Sequence, residues 1–174
     1  MITNMNYIQE HNIQYPDNDT YIPYVTENFS RDLTLLEIGA GLHSTRIFSE
    51  YFTKMYSIES NTQFENIYHN NYIHIDIDPK TGWYDKSNFE NKLPYDYDII
   101  FLDGPTGGHV PPFKDERPFR FGFCTVTWDV MRKDVPIIVD DIWRDWKERL
   151  VVEFLKQEGY TCRTFEKFAV LEPK

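Results

Sequence analysis

Five short apolar runs recur along the chain, each followed by a turn signal and then by residues at helical spacing. That alternation is the mark of a chain that lays strands side by side with helices between them. LTLLEIG (33–39), KMYSIES (54–60) and NYIHIDI (71–77) read as the first three strands. YDIIFLDG (97–104) and VPIIVDD (135–141) are almost continuously apolar, which fits strands covered on both faces of a parallel sheet. Residues 44–52 place Ile47, Phe48, Tyr51 and Phe52 on one helical face, with Ser44 or Thr45 available as a cap. A shorter helix is predicted over 61–68, with Phe64, Ile67 and Tyr68 inward, and a third over 117–132. The clearest helix covers 142–157, with a stripe of Trp146, Leu150, Val151, Phe154 and Leu155 and a glycine, Gly159, just past its end.

The last residues, YTCRTFEKFAVLEP, read as a tight antiparallel hairpin turning at Glu166 and Lys167. Residues 79–94 read as a polar connection with one helical turn, and residues 1–32 as a helical segment covering the sheet or the site. The expected fold is α/β: a three-layer, doubly wound, mostly parallel Rossmann-like sheet closed by an antiparallel C-terminal hairpin. A chain of 174 residues fits one domain, 1–174. With thirteen Phe, twelve Tyr and four Trp there is ample apolar area for a core. Cys124 and Cys162 lack metal or disulfide spacing and are expected to be buried thiols. The longest apolar runs are far below the roughly 20 residues a bilayer span needs, and the N-terminus has no secretory pattern. A cytoplasmic protein without membrane partners is expected.

The net charge is −10 and the isoelectric point is about 4.9, which argues against the phosphate-neutralising surface of a nucleic-acid binder. Positive residues gather in the C-terminal half, among them Lys114, Arg117, Arg120 and Arg144; most are expected on solvated helix faces.

Glu37-Ile38-Gly39-Ala40-Gly41 ends the first strand, and Glu59 ends the second. A glycine turn before a helix lets a ligand approach the backbone, and an acid about 20 residues on commonly holds ribose hydroxyls. Together they point to an adenosine-containing cofactor. A nicotinamide site prefers a third glycine where Ser44 stands, whereas an acid at Glu37 suits the positively charged methionine end of S-adenosylmethionine. On LLEIGAG, YSIES, YDIIFLDGP and IIVDD the chain resembles the class I S-adenosylmethionine-dependent methyltransferases over roughly 33–173. The resemblance implies that Glu37, Gly39 and Gly41 line the methionine end, with His43, Ser44 and Thr45 at the helix start beside them. It also implies that Glu59 holds the ribose and that Asp76 or Asp78 lies near the adenine, with Asp103 at the cofactor edge. FLDGPTG, a following Arg117 or Arg120, and PIIVDDIWRDWKERLVVEFL are similar to the glucuronoxylan O-methyltransferase type.

Methyl transfer to oxygen needs a positioned acceptor and a route for its proton. Asp103, Asp140 and Asp141, at the ends of the fourth and fifth strands, are the candidate catalytic carboxylates. They also offer oxygen ligands for a divalent ion such as magnesium or manganese. Asp140 or Asp141 equally suits the N-cap of the helix that follows. His109, in the Gly/Pro-rich loop after Asp103, is a candidate base. Arg117, Arg120 and Arg144 are candidates to grip a substrate carboxylate such as a uronate, and Trp143 to stack on a sugar ring. The expected activity is O-methylation of a hydroxylated acceptor, a small molecule or glycan. The alternatives are a non-catalytic S-adenosylmethionine-binding subunit, a nucleic-acid or other small-molecule methyltransferase, or a nicotinamide oxidoreductase. The chain's size leaves room for a partner or a homodimer to complete the site.

Overall fold

The computed structural model of the chain describes residues 21–105, 119–142 and 146–174. Seven strands form one sheet: β1 (Thr34–Ile38), β2 (Lys54–Glu59), β3 (Asn71–His74), β4 (Ile99–Leu102), β5 (Ile137–Val139), β6 (Thr161–Thr164) and β7 (Ala169–Glu172). Their spatial order is β3-β2-β1-β4-β5-β7-β6, with β1 to β5 parallel and β7 antiparallel to both neighbours. This is the mostly parallel, doubly wound α/β sheet expected, closed by the β6–β7 hairpin.

Alternation along the strands divides the core into two faces. Leu35, Phe101, Ile138 and Val170 pack on one side against α1 (Tyr21–Asn28) and α2 (Ser44–Tyr51), which contribute Tyr21, Ile22, Val25, Ile47, Phe48 and Tyr51. Leu36, Ile38, Ile100, Ile137, Val139 and Leu171 pack on the other against α3 (Lys86–Lys92), the segment 119–131 and α4 (Trp146–Gln157). Every residue of β1, β4 and β5 is buried, because helices cover both faces. Of the expected 1–32 cover segment, residues 1–20 lie outside the described residues, and Tyr21–Asn28 is helical.

Several sequence expectations are corrected. Residues 61–68 do not form a helix: only the 3-10 turn Thr62–Phe64 is present, and Ile67 is 51% exposed. Asn61 caps that turn by accepting a hydrogen bond from the Gln63 amide, an Asx arrangement that competes with a longer helix. The polar connection at 79–94 holds a full helix, capped by Asp85 through the Asn88 amide, and Trp83, Tyr84 and Phe89 beside it are wholly buried. Where one helix was expected over 117–132, the described part breaks into 3-10, π and 3-10 turns at Phe119–Phe121, Phe123–Thr127 and Trp128–Val130. Gly122 lies at the break, its Cα so close to Trp83 that an added Cβ would stand 2.4 Å from the Trp83 side chain. Asp140, Asp141 and Ile142 are not helical, and the last helix is described over Trp146–Gln157. Cys124 is buried as expected, whereas Cys162 on the edge strand is only partly covered. Trp128 joins Trp83 in the core; Trp143 and the Trp146 side chain lie outside the described residues. Among the described residues, no helix is long and apolar enough to cross a membrane.

Candidate functional site

The parallel ladder runs on past the strand ends. The Gly39 amide donates to the Ile58 carbonyl, Ile75 to Glu59, Asp103 and Gly104 both to Ile38, and Asp140 to Leu102. These bonds bring the carboxyl ends of β1, β2, β4 and β5 to one edge, where the loops between strand and helix meet. A cavity of about 800 Å³ opens there. Its walls are the turn Gly39-Ala40-Gly41, the run from Glu59 to Phe64, Asp76 and Ile77, and Asp103-Gly104-Pro105.

The two turn glycines have different reasons to be glycine. Gly39 has φ +95°, and a Cβ on it would stand 2.3 Å from the Gly104 backbone, so the turn after β1 and the loop after β4 touch main chain to main chain. Gly41 has nothing within 4 Å of the place a Cβ would take. Only at Gly41 does the missing side chain leave space on the cavity side.

Glu37 does not line the cavity. It is fully buried on the face of β1 that meets α2, and three hydroxyls close around its carboxylate. Ser44 Oγ donates to Oε1 at 2.9 Å; Thr45 Oγ1 and Ser57 Oγ donate to Oε2 at 2.8 and 2.9 Å. Ser57 is opposite Glu37 in the β1–β2 register, on the same face. Burial pushes the Glu37 carboxyl up to about 8, against the pull of the three hydroxyls, with Asp103 adding a smaller upward push. Ser44 and Thr45 therefore hold Glu37 instead of lining the cavity. His43 is exposed at the N-cap position of α2 with no capping bond, and it is not a cavity wall. Burial and Arg46 lower its pKa.

Glu59 does face the cavity. Its Oε1 accepts from the Ser60 amide, the Asn61 amide and the Ser60 hydroxyl, which fixes the carboxylate at the start of the loop that walls the cavity. Burial raises its pKa despite these donors. Asp76 is a wall residue with its side chain 81% exposed, whereas Asp78 is turned to its own loop, accepting from the Lys80 amide.

Asp103, Asp140 and Asp141 come together, each with an oxygen within 4.8 Å of the others. Arg120, only 2% exposed, reaches into the group. Its NH2 lies 3.0 Å from Asp103 Oδ1 and 3.2 Å from Asp141 Oδ2, and it also donates to the main-chain carbonyls of Asp103 and Asp140. The guanidinium thus clasps the ends of β4 and β5. NH1 and NH2 of Arg120, a residue expected to grip a substrate carboxylate, are turned to carboxylates and main-chain carbonyls of the chain itself. Asp141 adopts φ +61°, a conformation open to few residues besides Gly, Asn and Asp. Burial holds the Asp140 carboxyl well above the usual carboxylate range, and the neighbouring charges of Asp103 and Asp141 push the same way. Three oxygens so placed suit a hard divalent ion. His109, Arg117, Trp143 and Arg144 lie outside the described residues.

Sequence reasoning missed the loop Ser60–Phe64, the Gly104-Pro105 wall and the Ser57 contact to Glu37. A signal for Ser57 was present: it lies on a strand adjacent to β1 as a polar residue within an apolar run. Missed too was Tyr21 of α1, a buried phenol bonded to Ser44 whose pKa burial and the nearby Asp103, Asp140 and Glu37 drive far up.

No family model and no curated protein matches the chain. Solved structures do. The MycE methyltransferase from the mycinamycin biosynthetic pathway, in complex with Mg and S-adenosylhomocysteine, superposes with a TM-score of 0.57 and 15% identity over 98% of this chain and 48% of that one. A TehB-like S-adenosylmethionine-dependent methyltransferase from Corynebacterium glutamicum gives 0.54 and 15% over 98% of both chains. The fold is that of the S-adenosylmethionine-dependent methyltransferases. A methyltransferase from Geobacter sulfurreducens gives 0.53 and 13% over 97% of this chain and 85% of its own. The chain spans about half the length of the MycE chain.

Proposed function

We propose that the chain is an S-adenosylmethionine-dependent methyltransferase that methylates a hydroxyl of a small molecule or glycan. The observation that carries the reading is the cavity at the strand ends, with the open Gly41 turn on one side, the Glu59 carboxylate on another and Asp103 on a third. Gly41 admits the ligand to the backbone, and the Glu59 carboxylate, held by the amides of Ser60, Asn61 and Ala40, is placed at the cavity wall to accept from ribose hydroxyls. The acidic surroundings, Glu37 behind the turn and Asp103 at the wall, favour a ligand with a cationic end. A sulfonium with an ammonium fits that field, and a pyrophosphate does not.

The acceptor hydroxyl would enter beside Asp103. Methyl transfer is an in-line displacement at the sulfonium methyl, so positioning supplies much of the rate. The acidic group at the ends of β4 and β5 would take the acceptor's proton through an ionised carboxylate, and Asp103 at the cavity wall would aim the hydroxyl. A divalent ion, where used, would be held by Asp103, Asp140 and Asp141 and would act as a Lewis acid on the acceptor oxygen. The sequence resemblance of FLDGPTG and PIIVDDIWRDWKERLVVEFL to the glucuronoxylan O-methyltransferase type is the ground for proposing a sugar acceptor.

Transfer of labelled methyl from S-adenosylmethionine to a panel of sugars, glycans and simple alcohols tests the reading, with Asp103→Asn, Asp140→Asn and Asp141→Asn compared singly. Transfer to a hydroxyl that collapses in the Asp103 and Asp140 variants is expected. Full transfer in all three variants would refute the assignment of the chemistry to this cluster.

A further inference from the structure

Two chains of hydrogen bonds converge on one oxygen of Glu37. From the cavity side, the Gly41 amide donates to Thr45 Oγ1 at 2.7 Å, and Thr45 Oγ1 donates to Glu37 Oε2 at 2.8 Å. From the other side, Asn70 Nδ2 donates to Ser57 Oγ at 2.8 Å, and Ser57 Oγ donates to the same Oε2 at 2.9 Å. A hydroxyl has a single hydrogen. Because an N–H points at each of these two hydroxyl oxygens, each hydroxyl hydrogen is directed to Glu37. Oε2 is thus a pure acceptor, and a proton taken up by Glu37 belongs on Oε1, where Ser44 can turn to receive it.

We propose that Asn70, outside the cavity wall, is a positioning residue for the Gly41 turn, acting through Ser57, Glu37 and Thr45. Asn70 has no contact with the cavity; it closes the loop whose first residues, Asn61 to Phe64, form a wall of it. Its amide keeps Ser57 turned toward Glu37, Glu37 keeps Thr45 turned inward, and Thr45 offers a fixed oxygen to the Gly41 amide. If Ser57 turned away, Glu37 would lose a donor and hold a proton more readily, and Thr45 would lose the acceptor that orients it. The other groups acting on Glu37 are Asp103 beyond β4, Tyr21 from α1 and Tyr84 from the segment before α3. Asp103 raises the same pKa, and the two phenols stay neutral, so none of them replaces the Asn70 relay.

The role of this relay in cofactor binding rests on reading the cavity as an S-adenosylmethionine site, but the relay itself is tested without ligand. Amide exchange at Gly41 is followed by NMR in the wild type and in Asn70→Asp, whose carboxylate takes the Ser57 hydrogen in place of giving one. Exchange about tenfold faster at Gly41, with the Ile100 amide in mid-sheet unchanged, is expected for the loss of one buried hydrogen bond. Ser57→Ala cuts the relay one link further in and carries the test independently, and Ser57→Thr, which keeps the hydroxyl, should restore wild-type exchange. Unchanged Gly41 exchange in both Asn70→Asp and Ser57→Ala would overturn the proposal. In parallel, S-adenosylmethionine is titrated from pH 6 to 9. Its affinity should rise with pH as Glu37 ionises, and the midpoint should move to higher pH in Asn70→Asp. A wild type that binds, with an identical pH profile in the variant, would also overturn the relay. A wild type that fails to bind S-adenosylmethionine counts against the functional reading alone, and the Gly41 exchange still decides the relay.

Discussion

Two groups of carboxylates are held at the same sheet edge in opposite ways. Glu37 is fully buried and surrounded by neutral hydroxyls, whereas the Asp103 and Asp141 carboxylates, beside Asp140, share one buried guanidinium. The first arrangement leaves an acid to which, among the described residues, no cation is bonded. The second ties its charge to the backbone of β4 and β5 through Arg120, so its integrity is also the integrity of the strand ends. One region holds a lone acid among hydroxyls and the other ties its carboxylates to the strand ends.

Removing the cation should have the largest effect. Arg120→Leu takes a buried cation away from Asp103 and Asp141 and is expected to cost about 3 to 5 kcal/mol of stability in urea unfolding at neutral pH. A cost below about 1 kcal/mol would contradict the clasp of the β4 and β5 ends by this guanidinium.

Next comes the close contact between the turns. Gly39→Ala combines a side chain at positive φ with a collision against Gly104, and should cost about 2 to 4 kcal/mol. Gly41→Ala meets no atom within 4 Å and should change stability by less than about 0.5 kcal/mol while weakening cofactor binding. Similar stabilities for both variants would contradict the separate reasons assigned to the two glycines.

The Glu37 cage predicts a pH slope. With the folded carboxyl near 8 and the unfolded one in the ordinary range, the folded chain holds the extra proton between those values. Stability therefore falls as pH rises from about 5 to 8, and Asp140, shifted in the same direction, adds to the fall. Glu37→Gln removes the charge and should flatten this slope, as read from melting temperatures across the range. An unchanged slope would show that Glu37 titrates as it does in water.

The smallest effect is confined to binding. Glu59→Gln keeps an oxygen for the Ser60 and Asn61 amides but removes the charge, and should weaken S-adenosylmethionine by about 1 to 2 kcal/mol with little change in folding. Unaltered affinity would remove Glu59 from the ribose contact.

Much of this was legible in the amino-acid order, for identifiable reasons. β4 and β5 announce themselves because helices cover both of their faces, so nearly every residue is apolar. The turn glycines and Glu59 stand out because the backbone geometry there is demanding. Residues 61–68 misled because Phe64, Ile67 and Tyr68 repeat at helical spacing while side chains of the loop itself cap its backbone. The burial of Arg120 was not legible because a charged residue is expected outside, and it depends on two strand ends that only the fold brings together. Ser57 and Asn70 escaped notice for the same reason: their meaning lies in the register of β2 on β1 and in a loop folding back onto it.

The most direct test of the central claim is calorimetric titration of the protein with S-adenosylmethionine, S-adenosylhomocysteine and NAD, each with and without magnesium or manganese. Micromolar binding of the first two and none of NAD is the predicted result. Binding of NAD instead, or of none of the three, would contradict the reading of the cavity as an S-adenosylmethionine site.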